Sequence, residues 1–350
     1  MSYINIPKIK FIYRILFIYL LLSFASCGIL NHKNRRYRQT RLLMGTVVRV
    51  DICAATDIND RDVRRAYRDV WARLEDISLR MNAADPKSDV GRLNNAFPSK
   101  VKVGPDTYSV IKDAVYFSKL TDGAFDITVR PLIELWKKCQ LEQRMPSRSE
   151  IQAMLKVVGA SKIQFLSDNN LRFTDVNVRI DLGGIAKGYG VDEAAKILRR
   201  DGINNFFIDA GGDIYAGGYN CEGHRWRIGI RDPMRKDGIV DILSISNMAV
   251  TTSGNYEQFY NIDGRRFSHI INPITGYPQD GVISATVIAP TAEFADALST
   301  ALCVLGERAG IALIDSLNDP NYAAFIITKK KGRGVNIKES SKYEKYRAEK

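Results

Sequence analysis

The stretch Val178-Arg179-Ile180-Asp181-Leu182-Gly183-Gly184-Ile185-Ala186-Lys187-Gly188 reads as a strand entering a glycine turn that opens a helix, Tyr189 to Arg200, closed by Gly202. A strand, a glycine turn and a helix in succession make the usual geometry of a phosphate or anion site. Downstream, strands are expected over 205–209, 225–231, 241–252, 265–271 and 281–289. A helix over 292–305, stopped by Gly306, a second over 307–317 and a strand over 323–328 follow. Upstream, Leu43 to Cys53 alternates as a strand does, interrupted at Met44-Gly45-Thr46, and Asp60 to Met81 carries apolar residues at helical spacing. Asp85-Pro86 breaks that helix, another runs from Pro105 to about Leu120, and Ser147-x-x-Glu150 is a capping box opening a short helix to Val158. Strands and helices are mixed in order, with no repeat or linker inside 42–328, so a single large α+β domain is expected there.

The chain has 350 residues, of which 45% are apolar, enough to bury a sizeable core. Its first 26 residues carry Lys8, Lys10 and Arg14, an apolar run from Ile15 to Leu22, and the small residues Ala25 and Ser26, the pattern of a secretion signal. The apolar run is shorter than the roughly 20 residues a membrane-spanning helix needs. Cys27 follows it as in a bacterial lipobox, matched loosely by Phe24, and is expected to be acylated as the new N-terminus. Residues 27–41 read as a basic linker and 329–350 as a basic, disordered tail.

A net charge of +12 invites a nucleic-acid reading, but the excess is terminal. Three cations lie in the signal and five in 28–41 (Lys33, Arg35, Arg36, Arg38, Arg41), and the tail from 329 has nine basic against three acidic side chains, leaving 42–328 slightly negative. No nucleic-acid partner is expected. Two basic termini, one directly after the anchor, suit an anionic lipid surface, at about 1 kcal/mol per nearby cation, while for the C-terminal one a solvated tail without a partner is an equal reading. Cys53, Cys139, Cys221 and Cys303 are widely spaced without C-x-x-C, so neither a zinc site nor a disulfide scaffold is indicated. Cys53 and Cys303 have apolar, core-like surroundings, and the sequence does not pair them.

Neither G-x-G-x-x-G nor G-x-x-x-x-G-K-[ST] occurs. Asp181 to Gly188 offers instead an acid, two glycines that let backbone approach a ligand, and Lys187 where the helix opens, a pyrophosphate cradle. Asp209-Ala210-Gly211-Gly212-Asp213 is a second acidic glycine turn, read first as a side-chain-capped turn, with a place lining the cleft left open. Asp296, Ser299 and Thr300 share one face of an otherwise apolar helix, an oxygen set suited to a hard cation. Of three histidines, His32 lies in the linker and His224 in a turn, whereas His269 ends a strand before Asn272-Pro273-Ile274-Thr275-Gly276.

Seven motifs in order, Met44-Gly45-Thr46, Gly123 to Thr128, Asp181 to Gly188, Asp209 to Asp213, Thr252 to Tyr256, His269 to Gly276 and Ala295 to Ala301, resemble those of ApbE-type FAD:protein FMN transferases across about 40–328. The resemblance implies an ApbE-like, T-fold-related architecture of mixed sheets with packed helices. It places FAD across Met44, Ala124, Phe125, Asp126, Asp181, Lys187, His269 and Ile270, and magnesium on Asp296, Ser299 or Thr300, and the Gly184 carbonyl. Two positions depart from the family pattern: Ala84 stands where a ring-stacking tyrosine is common, and Asn272 where an aspartate is.

The implied chemistry is attack by an acceptor threonine hydroxyl on the FMN-side phosphorus of FAD, with AMP leaving, Mg2+ and Lys187 offsetting phosphate charge, and His269, or second Asp181, as base. The implied partner is a subunit of a membrane redox pump bearing a threonine in a Ser/Thr-Gly-Ala-Thr-like motif. The implied location is a membrane anchor facing the periplasm, in the inner membrane of a Gram-negative bacterium. Two alternatives stay open: an FAD pyrophosphatase yielding FMN and AMP, and a non-catalytic FAD-binding lipoprotein.

Overall fold

The computed structural model describes residues 34–235, 237–255, 259–330 and 334–349. The expected signal, Cys27, His32 and Tyr256 lie outside the described residues. Eight strands form the main sheet: β1 (Arg35–Leu43), β2 (Thr46–Ala54), β3 (Phe206–Ala210), β4 (Asp213–Gly217), β5 (Met248–Gly254), β6 (Val282–Ala289), β7 (Ala323–Lys329) and β8 (Val335–Glu339). They lie side by side in chain order and every ladder is antiparallel. The longest excursion, 55–205, leaves the sheet after β2 and returns at β3.

Among the described residues, seven helices accompany the sheet: α1 (Asp60–Met81), α2 (Asp89–Asn94), α3 (Pro105–Leu120), α4 (Arg130–Leu141), α5 (Arg148–Leu155), α6 (Ala186–Arg200) and α7 (Ala292–Ser316). On one face α1, α6 and α7 bury Trp71, Leu74, Ala194, Leu198, Leu298 and Leu302 against Val48, Val50 and Val287. The ribbon Trp226–Arg231/Ile239–Ile245 covers the other face, its first strand alternating buried and exposed residues as a half-buried strand must. A third cluster of Leu132, Trp136, Ile151, Tyr260, Ile262 and Ile271 joins α4 and α5 to the hairpin Phe259–Ile262/Arg265–Ser268.

Several expectations are corrected. The basic linker is an edge strand from Arg35 onward, its cations answering a buried carboxylate: Arg38 grips Asp51 through two bonds of 2.7 Å. Charged side chains on an edge strand also discourage edge-to-edge pairing. The interruption at Met44-Gly45 is the tight turn of the β1–β2 hairpin, with φ of 54° and 73° at the two residues. The basic tail is ordered in part. Its residues 335–339 form β8, and beyond it Tyr343 is fully buried and donates to Asp241 (2.9 Å), which also receives Arg347 (2.9 Å).

Val178 to Leu182 joins no ladder. The Asn94 side chain takes over a neighbouring strand's role, accepting from Ile180 N–H (2.8 Å) and donating to Ile180 C=O (2.9 Å). The expected 241–252 strand breaks near Asn247, at φ 55°, into two strands on different sheets. Gly306, at φ 80°, interrupts α7 where two helices were expected. Cys53 is disulfide-bonded to Cys221, while Cys139 and Cys303 are buried free thiols.

Candidate active site

The centre lies where α6 and α7 meet. Helix α6 follows the Gly183-Gly184 turn, and a Cβ on Gly188 would stand 2.3 Å from the Ala292 carbonyl oxygen, so glycine is required for α7 to approach this closely. The Gly188 N–H donates to Asp296 Oδ2 (3.1 Å). Asp192, one turn on, accepts from the Ala292 and Glu293 amides at the start of α7 (2.8 and 2.9 Å). Burial pushes its carboxyl up to about 6 against the pull of those amides.

Lys187 projects from the first turn of α6 between two carboxylates. Its Nζ lies 2.7 Å from Asp213 Oδ2 and 3.4 Å from Asp296 Oδ2, and donates to the Gly183 carbonyl at 3.3 Å. Burial disfavours the ammonium, but Asp213 and Asp296 outweigh it and hold Lys187 well above the ordinary lysine range. Burial, then the Asp296 charge, push the Asp213 carboxyl upward against the attraction of Lys187. Only 1% of Asp296 and 3% of Asp213 is exposed, so these charges interact in a poorly screened setting.

Hydroxyls line the adjoining face of α7. Ser253 Oγ of β5 lies 2.8 Å from Ser299 Oγ and 3.2 Å from Thr300 Oγ1, and Ser299 donates to the Asp296 carbonyl (3.0 Å). A Cβ built on Gly184 would lie 3.4 Å from Thr300 Oγ1 and 3.2 Å from the Phe125 ring, so the glycine turn, α7 and Phe125 meet. The donors are all hard oxygens, and Asp296 brings a buried carboxylate among them. That chemistry fits magnesium. No group of three or more His, Cys, Asp or Glu side chains arranged to hold a metal occurs among the described residues, so hydroxyls and backbone carbonyls would have to complete the shell.

The Met44 thioether packs by Gly190 on α6, where a Cβ would meet its Sδ at 3.2 Å. Ala124 is buried beside Phe125. Asp126 accepts from Thr128 N–H and Oγ1 (2.8 and 2.6 Å), Ser118 Oγ (3.2 Å) and Ala160 N–H (2.9 Å), so its side chain is a structural clasp. Asp181 gives one oxygen to Arg130 (2.8 Å) and the other to Gly183 N–H (2.9 Å), which makes it a loop anchor and a poor candidate base.

His269 stands half-buried just past the strand Arg265–Ser268. The segment is tied to the start of β6: Gln279 N–H donates to the buried Ile270 carbonyl (2.9 Å), and Gln279 and Asn255 side chains both donate to Val282 C=O (3.0 and 3.2 Å). Asn272, the departure noted above, accepts from Ile274 and Thr275 amides (2.8 and 3.2 Å), a turn cap that an aspartate oxygen would serve equally.

Sequence reasoning read Asp213 first as a turn residue, leaving a place in the cleft open, and did not single out Ser253 or Arg130. Asp213 opens β4 and turns inward under Lys187, whereas Asp209 is the residue that caps the turn, accepting from Gly212 N–H (3.0 Å). The signal for Asp213 was its place as the first strand residue after Gly-Gly.

Residues 44–326 match the ApbE family. The chain is 30% identical over 348 residues to the FAD:protein FMN transferase of Haemophilus influenzae, covering 96% of this chain and 98% of that one. With that of Vibrio cholerae it shares 33% over 283 residues, covering 79% and 84%. Among solved structures, the ApbE protein of Thermotoga maritima superposes with a TM-score of 0.81 at 36% identity, covering 90% of this chain and all of that one. The flavin transferase ApbE of Vibrio cholerae does so at 0.79 and 30%, covering 89% and 99%.

Proposed function

This chain belongs to the ApbE family and is a flavin transferase, and from that premise we propose that it moves FMN from FAD to a threonine hydroxyl of an acceptor protein, releasing AMP, with magnesium as cofactor. The observation that carries the reading is the buried meeting of Lys187 with Asp296, Ser299, Thr300 and the Gly184 turn at the start of α6.

In this reading a threonine oxygen forms a bond to the FMN-side phosphorus while the bond from that phosphorus to the bridging oxygen breaks, and AMP carries the electron pair away. Lys187 offsets phosphate charge, which is most of what such a transfer asks of a protein. Phe125, whose ring lies against the Gly184 turn, would close one side of the site. His269 takes the hydroxyl proton. Asp296, Ser299, Thr300 and the Gly184 carbonyl would hold magnesium, which when bound polarises the phosphoryl oxygens.

The acceptor is proposed to be a subunit of a membrane redox complex, met by an enzyme anchored through Cys27 and facing the periplasm. The Cys53–Cys221 disulfide supports an oxidising compartment. Incubation of the protein with FAD, magnesium and an acceptor domain, followed by intact mass of the acceptor, is the test. A gain of one FMN that is lost on chelation is expected. AMP and free FMN with no acceptor gain would establish a pyrophosphatase instead, and intact bound FAD a binding protein. Intact mass of the membrane-extracted chain tests acylation of Cys27, and an unmodified N-terminus would remove the anchor.

A further inference from the structure

We propose that Asp213 is a positioning residue for flavin transfer, holding the Lys187 ammonium in the site independently of Asp296; this rests on Lys187 acting at the pyrophosphate as set out above. Three observations converge. Lys187 Nζ lies 2.7 Å from Asp213 but 3.4 and 3.5 Å from the two oxygens of Asp296, so Asp213 is the nearer holder. Asp213 is ladder-paired with Ala210 on β3 and Thr251 on β5, which fixes its backbone on both sides, and only 3% of the residue is exposed.

The carboxylate is also not spent on local structure. Asp209 caps the preceding turn, and Thr251, directly across the ladder, keeps a buried hydroxyl without a hydrogen-bond partner. Among the described residues Lys187 is the cation paired with Asp213. A buried carboxylate anchored in a sheet and aimed at one lysine suits the support of a reactive group rather than the capping of a turn.

The consequence concerns what happens when Asp296 is engaged elsewhere. A lysine held by Asp296 alone would lose its partner whenever that carboxylate turned to a cation. With Asp213 as anchor, Lys187 keeps its place and its charge.

The test is a double-mutant cycle on the full-length protein with D213N, K187M and the pair. Three readouts apply: FAD affinity from flavin fluorescence with chelator present, kcat and KM for AMP release with acceptor, and Tm. D213N is expected to lower kcat/KM by roughly 10- to 100-fold, the usual effect of removing a supporting partner. In the K187M background D213N should cost no further activity or FAD affinity, and should raise Tm, because it then removes a buried carboxylate that has lost its cation.

Losses that multiply in the double variant, or a D213N enzyme within twofold of wild type, would overturn the proposal. So would a fall in Tm on adding D213N to K187M. Should D213N fail to fold, Asp213→Glu keeps the charge but extends it by one methylene; an unchanged kcat/KM in that variant overturns the proposal equally. If the wild type itself neither binds FAD nor releases AMP, the functional reading fails, while the Tm comparison still reports on the Asp213–Lys187 pair.

Discussion

Gly188→Ala sets two physical effects of opposite sign against each other. In an ordinary helix, alanine in place of glycine stabilises by about 0.5–1 kcal/mol. Here the added methyl would stand 2.3 Å from the Ala292 carbonyl oxygen, 2.6 Å from its carbon and 2.8 Å from Glu293 Cα, all backbone atoms that no rotamer change can remove. Relief to an ordinary contact requires α6 and α7 to part by about 1 Å, and overpacking of this kind costs about 1–3 kcal/mol. Weakening the Gly188 N–H bond to the buried Asp296 carboxylate, now 3.1 Å, adds up to about 2 kcal/mol.

The net expectation is a loss of roughly 1–4 kcal/mol, or a Tm lower by about 1–6 °C for a chain of this size. Because the same displacement carries Lys187 away from Asp296, a 1 Å misplacement should also reduce flavin transfer by about 100-fold. Differential scanning calorimetry and AMP release with acceptor measure the two. A Tm at or above wild type together with activity within twofold would show that α6 and α7 are not locked at Gly188, and would refute the reasoning.

Asp296→Ala should abolish magnesium-stimulated AMP release while leaving the fold intact by circular dichroism; retained stimulation would remove Asp296 from the cation site. Asp126→Ala orphans the Thr128 and Ala160 amides and should cost about 3 kcal/mol or more in urea unfolding, whereas a neutral result would mean the clasp is not needed. Reduction should lower Tm, since the Cys53–Cys221 link spans 168 residues and the loop-entropy estimate for that span is about 5 kcal/mol; a Tm insensitive to dithiothreitol contradicts it.

Glu293 carries the pH prediction. Burial, then Asp113 and Asp192, push its carboxyl up to about 8, only partly opposed by Lys196 and with Asp296 adding to the rise. Between the unfolded value of about 4.3 and about 8 the folded state binds the extra proton, so this group's contribution favours folding below that window and is lost as pH rises through it. Glu293→Gln should flatten the decline in Tm from pH 5 to pH 8.5; an unaltered slope would show that Glu293 is not the titrating group.

Local chemistry carried much of this reading. Helix α1, the capping box at Ser147 and Glu150, and the break at Gly306 were legible because periodicity, caps and glycine act within a few residues. So was the oxygen face of Asp296, Ser299 and Thr300, since helical spacing alone brings those positions together. What the sequence could not determine depended on a partner far along the chain. The run of arginines from 35 reads as a linker until Asp51 is buried opposite, and the tail is a strand only because β7 offers an edge. The segment at 178–182 looks like a strand but is matched by the Asn94 side chain, and Cys53 finds its partner 168 residues away. The surroundings of Asp181 and Asp213 are set for the same reason: Arg130 takes up the first, while the sheet turns the second inward beneath Lys187. Composition and spacing determined which groups this protein has available for phosphate and cation chemistry; tertiary packing decided which carboxylates are spent on structure and which remain for the site, because only burial beside a specific charge separates the two.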